Sequence, residues 1–126
     1  MYTLPPQSKT NGKGIKRIFR AFVNAIDGLH ACWKSEAAFR QEVVVSLFLY
    51  PLIFILDTTS VEKAILFASL TLVFVVELIN SAVETTVDRI SFDHHPLSGR
   101  AKDIGSAAVL LSIILMTGVW FCVLFD

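Results

Sequence analysis

From Ile104 to Phe125 the chain reads IGSAAVLLSIILMTGVWFCVLF, without one charged side chain. A run of this length matches the ~20 residues that an α-helix needs to cross a hydrocarbon core about 30 Å thick. Lipid offers no water to backbone amides, so such a segment folds as a helix that satisfies them internally. Composition agrees, because 54% of the 126 residues are hydrophobic and the mean hydropathy is +0.63, above what an ordinary soluble domain carries. Formal net charge is zero, which removes the basic footprint that nonspecific nucleic-acid binding needs and argues against a nucleic-acid partner.

Two further apolar segments precede this one. VVVSLFLYPLIFIL, Val43 to Leu56, is too short alone. With Ser35 as N-cap, the turns of SEAAFRQE join it and the span covers about 36–56. Pro51 would kink it or leave a carbonyl to be satisfied by a neighbour. The second span covers about 64–87 and the third 104–125. DTTSVEK links the first two, and the longer DRISFDHHPLSGRAKD, Asp88 to Asp103, precedes the third.

Residues 1–14 are polar and rich in Pro, Gly, Ser and Thr, which reads as a disordered tail. No apolar core with a small-residue cleavage site follows the early lysines, so a removable signal peptide is not expected. From Ile15, the residues Ile18, Phe19, Phe22, Val23, Ile26, Leu29 and Trp33 recur at helical spacing, with Lys16, Arg17, Arg20, Asn24 and Asp27 largely off the stripe. That predicts an amphipathic helix at the membrane interface. The fold class expected is an all-α membrane protein, a surface helix plus three spans, forming one domain over 15–126. Basic residues cluster before the first span and in the second link, which places both on the cytoplasmic side and the C-terminus outside. Cys32 and Cys122 lack metal or redox spacing and read as packed thiols.

The second span contains VELINSAVETTVD. Glu77, Asn80, Ser81, Glu84 and Asp88 are offset by 3, 4, 7 and 11 from the first, so all lie within about 60° of one line on a helix. Ionisable groups inside a span mark functional sites by default. Asn and Glu can also serve only to bond helices together. Carboxylates on one face repel unless a cation or proton lies between them, so the stripe predicts a metal ion, a basic partner or proton chemistry. Glu36 and Arg40 at the start of the first span, with Lys102, Asp103 and Ser106 at the start of the third, offer oxygen ligands and positive charge at the same level. The second link has no phosphate-binding GxxxxGK[ST] pattern.

EAAFRQE (Glu36 to Glu42), VELINSAVETTVDRI (Val76 to Ile90) and LSGRAKDIGSAAVL (Leu97 to Leu110), in this order, resemble the bacterial diacylglycerol kinase family of small membrane lipid kinases. The resemblance extends over nearly everything after Gly14. It implies a homotrimer with active sites at subunit interfaces near the cytoplasmic surface of the inner membrane. The implied reaction moves the γ-phosphoryl group of ATP, with Mg2+, onto diacylglycerol. By position in the motifs, Glu77 is implied as general base, with Asn80 beside it, and Glu36 and Glu84 as magnesium ligands. Nucleotide contacts are implied for Arg17, Asn24, Glu36, Glu84, Asp93, His94, His95, Lys102 and Asp103. Lipid contacts are implied for Arg17, Glu77 and Ser106. Asn24, Ser35, His94 and Pro96 depart from the residues common in the family at their positions. Phosphoryl transfer is mostly positioning and charge neutralisation, for which this inventory suffices. Undecaprenol kinase uses the same inventory on a polyprenyl alcohol. An ion or proton pathway in a small channel, or a noncatalytic adaptor, would use the stripe differently.

Overall fold

A computed structural model of the chain describes residues 13–126. Four helices follow in order, α1 (Ile15–Ser35), α2 (Ala37–Ile55), α3 (Ser60–Ile90) and α4 (Pro96–Leu124). The described residues contain no strand, and the last three helices are long and apolar enough to cross a membrane. The expected tail lies, as far as residue 12, outside the described residues. The chain divides after Ser35 into two compact units.

The first unit is the predicted amphipathic helix. Gly14, at φ 70°, occupies the left-handed region that glycine tolerates, and its carbonyl accepts from the Arg17 and Ile18 amides to open α1. Ile15, Ile18, Phe19 and Phe22 form an exposed apolar face, which suits a helix lying in the interface.

In the second unit α2 begins differently from expectation. Ser35 is not its N-cap, because Ser35 Oγ donates back to Ala31 O at 3.0 Å within α1. Glu36 takes the N-cap position with extended backbone and makes no side-chain cap. Its carboxylate is used across the bundle instead. With 19 residues, α2 is about 28 Å long and continues as one helix through Pro51, which has no amide to donate to the Leu47 carbonyl.

The first link is used almost wholly for caps. Thr59 and Glu62 form a reciprocal capping box, Glu62 N donating to Thr59 Oγ1 at 3.2 Å and Thr59 N to Glu62 Oε2 at 2.8 Å. Lys63 Nζ donates to the Phe54 and Leu56 carbonyls at 3.1 and 2.9 Å, closing the end of α2. Thr59→Ala should therefore destabilise the protein by about 1 kcal/mol, read as a lower thermal midpoint in detergent. An unchanged midpoint would mean that packing alone holds this end.

Helices α3 and α4 extend beyond the expected spans, α3 running on to Ile90 and α4 starting at Pro96. Helices α3 and α4 have 31 and 29 residues, about 46 and 44 Å, so they overrun a core of about 30 Å. The expected long link shrinks to residues 91–95 because its polar residues continue the helices, with Pro96 at the first helical position behind His95. Cys32 and Cys122 form no disulfide. Cys32 is buried, but Cys122 is exposed on α4, so the expectation of packed thiols holds for Cys32 only.

Helix α3 packs far more extensively on α4 than on α2. Near the first link, Ile53, Leu66, Leu70 and Trp120 form the apolar core. Ser46, Ser69 and Ser112 are buried, each hydroxyl donating to a carbonyl three residues back. Small residues so satisfied let helices approach without orphaned donors. The Tyr50 and Thr71 hydroxyls share a hydrogen bond of 2.8 Å between α2 and α3.

Candidate active site

The short first link makes α2 and α3 antiparallel, so their acids meet in order. Glu42 lies six residues beyond Glu36, and Glu84 seven beyond Glu77, rises of about 9 and 10.5 Å. The spacings nearly match and two acid pairs result. Glu42 faces Glu77 at the deeper level, and Glu36 faces Glu84 nearer the helix ends.

At the deeper level the Glu42 and Glu77 side chains are within hydrogen-bonding reach of each other. In each, Oε2 is buried and has no partner. Carboxylates so placed are held together by a proton or cation. One turn from each acid, Phe39 and Phe74 meet edge to face, their centroids 5.8 Å apart. An apolar groove of about 210 Å³ passes Glu42 between Gln41, Leu49, Val73, Phe74 and Met116.

At the upper level Ser81 Oγ donates to Glu36 Oε1 at 2.9 Å. Asn80 Nδ2 donates to Glu84 Oε1 at 3.4 Å, while Asn80 Oδ1 is buried without a donor. Both carboxylates are thus oriented by α3 side chains and point at one another. Among the described residues, no three His, Cys, Asp or Glu side chains converge as a protein-only metal site. A pair of carboxylates suits a hard cation that takes its remaining ligands from phosphate and water, as magnesium does. The donor set fits.

Lys102 Nζ donates to Asp88 Oδ1 at 2.7 Å, with side chains 41% and 38% exposed. An exposed pair of this kind adds little to stability, and Lys102 also lies within electrostatic reach of Glu84. The lysine can therefore turn to an arriving anion. In the second link, Asp93 N donates to Ser91 Oγ at 2.9 Å. His95 Nδ1 accepts from Leu97 N at 3.1 Å and caps α4, so its proton resides on Nε2 when the ring is neutral.

A cavity of about 140 Å³ has Asp88, Asp93, His94, His95 and Lys102 on its walls. A second, of about 480 Å³, adjoins His94, His95, Arg100 and Asp103. The residues expected at the site in unit two thus fall in three groups: Glu77, Asn80, Glu84 and Glu36 between α2 and α3; Lys102 on α4; and Asp93, His94, His95 and Asp103 around the second link. Ser106 is exposed on α4, one turn past Lys102. Arg17 and Asn24 stand on α1, Arg17 exposed and Asn24 half-buried.

Sequence reasoning assigned no role to Glu42, although an acid within the first span was itself a signal. Ser98 and Gly99 line the cavities beside His95, and Gly105 faces Asn80. No periodicity pointed to these three.

The sequence pattern of prokaryotic diacylglycerol kinase matches residues 23–124. The diacylglycerol kinase of Escherichia coli K12 is 46% identical over 114 residues, 90% of this chain and 93% of that protein. That of Pseudomonas aeruginosa is 44% identical over 111 residues, 88% and 90% of the two. That of Helicobacter pylori 26695 is 40% identical over 119 residues, 94% and 90%. With two acid pairs between its first two spans and these similarities along most of its length, the chain belongs to the prokaryotic diacylglycerol kinase family.

Proposed function

We propose that the chain transfers the γ-phosphoryl group of ATP to the hydroxyl of diacylglycerol, forming phosphatidic acid at the cytoplasmic face of a bacterial inner membrane. The observation that carries this reading is the stacking of the two acid pairs, one deep and one near the helix ends. A lipid hydroxyl arrives from the membrane side and phosphates arrive from water, so the levels divide the labour. Glu77 accepts the hydroxyl proton as the new phosphorus–oxygen bond forms and the bond from the γ-phosphorus to the β-phosphate oxygen breaks, releasing ADP. Glu42 holds the position of Glu77, and the apolar groove past Glu42 suits an acyl chain.

Glu36 and Glu84 would hold Mg2+, oriented by Ser81 and Asn80. The ion, when bound, neutralises charge on the phosphate oxygens. Lys102 leaves Asp88 to meet the same oxygens. Asp93, His94, His95 and Asp103 receive the nucleoside, and Ser106 helps hold the lipid. We also assign a homotrimer with the N-terminus in the cytoplasm.

The test is competition between diacylglycerol and undecaprenol in mixed micelles with ATP and Mg2+. Phosphatidic acid should dominate. Preference for undecaprenol would overturn the lipid assignment, and ion flux in liposomes without ATP turnover would overturn phosphoryl transfer. Lys102→Met should raise the KM for ATP about tenfold while leaving the thermal midpoint nearly unchanged. An unaltered KM would remove Lys102 from the nucleotide site.

A further inference from the structure

The geometry points to Gly105 as a positioning residue that acts through Asn80. Helix α4 passes α3 with Gly105 directly opposite the Asn80 amide. A Cβ on Gly105 would collide with Asn80 Oδ1 and stand 3.1 Å from its Cγ. At Gly28, Gly99 and Gly118 an added Cβ would meet nothing within 4 Å. Gly105 also lies inside a helix without a positive φ. Backbone freedom therefore does not explain glycine here, and glycine is a poor helix former. Space for Asn80 does explain it.

That space fixes which way the amide points. Asn80 Nδ2 donates to Glu84 Oε1 at 3.4 Å, so the amide oxygen must turn away from the carboxylate. It turns toward Gly105, where it is buried without a donor. A methyl group at 105 would push the amide round and withdraw Nδ2 from Glu84. The obstructing atom is the end of a short side chain rather than backbone, so rotation of Asn80 relieves the collision while α3 and α4 stay packed. The loss then falls on the orientation of Glu84, and through it on the upper acid pair. This inference rests on the reading of Asn80 and Glu84 as part of the phosphoryl-transfer site.

The experiment compares Gly105→Ala, Asn80→Ala, the double variant and Gly118→Ala as control, all as full-length protein in mixed micelles. Gly105→Ala should lower kcat about 10- to 100-fold and raise the Mg2+ concentration giving half activity. Its thermal midpoint should stay close to that of Gly118→Ala. The Asn80 side-chain NH2 resonance of 15N-labelled protein should shift in Gly105→Ala and not in Gly118→Ala. In the Asn80→Ala background the added methyl should cost nothing further, because coupled sites are not additive.

Normal kcat and an unshifted resonance in Gly105→Ala, with Asn80→Ala impaired, would overturn the role of Gly105 and leave the site reading intact. A loss of equal size in both backgrounds would overturn the route through Asn80. Full activity in Asn80→Ala would remove Asn80 from the site and this inference with it. Should Gly105→Ala fail to fold, recovery of folding in the double variant would support the collision, and failure there too would overturn it.

Discussion

Glu77→Gln is expected to lower kcat roughly 10³-fold while leaving the fold intact or firmer. The substitution keeps side-chain length and shape but removes the only atom pair at position 77 able to accept a proton from a lipid hydroxyl. It also replaces one member of a close carboxylate pair by an amide. Glu42 Oε2 is buried and has no donor, and the new N–H group can supply one. Burying an unsatisfied acceptor is costly and satisfying it is favourable, so the thermal midpoint should hold or rise as activity disappears. Phosphatidic acid formation and thermal unfolding in the same micelles measure both. Robust activity would remove Glu77 as base, and a collapsed midpoint would show that the acid pair supports the fold.

Glu84→Gln is expected to reduce kcat/KM at fixed Mg2+ about 10²-fold, with partial recovery as Mg2+ is raised. The amide still accepts from Asn80 and keeps the packing, but one of two negative charges facing the proposed ion is gone. Glu36→Gln should behave similarly, since its retained oxygen can still accept from Ser81. Both together should lose less than the sum of the two, because they serve one ion and share an environment. Titrations of activity against Mg2+ decide this. An unchanged half-saturation concentration in both single variants would exclude these carboxylates as ligands.

The helices were legible because each carries its own signal. The stripe from Ile15 to Trp33 became α1, and the polar face of α3 could be read from offsets along one helix. Thr59 and Glu62 lie in a stretch that reads as a polar link, and their capping box starts α3 earlier than the apolar run alone implied. Ser35 misled because a good cap residue was present one position too soon, and Ser35 instead closes α1 while Glu36 stands at the start of α2. Glu36 forgoes local capping for a bond to Ser81, a conflict between local rule and site chemistry that functional positions tolerate.

Glu42 and Gly105 were harder to read for a different reason. Periodicity gives the direction of a side chain around its own helix axis and says nothing about what faces it. The amino-acid order by itself determined the three spans, the surface helix and the single polar stripe, since lipid requires every backbone amide to be bonded within its helix. Only the tertiary structure decided that Glu42 meets Glu77, that Glu36 meets Glu84, and that Asn80 rests on Gly105. Those pairings depend on the register between helices, set by Phe39 against Phe74, Tyr50 against Thr71 and the close approach that the buried serines allow, contacts between residues far apart in the chain.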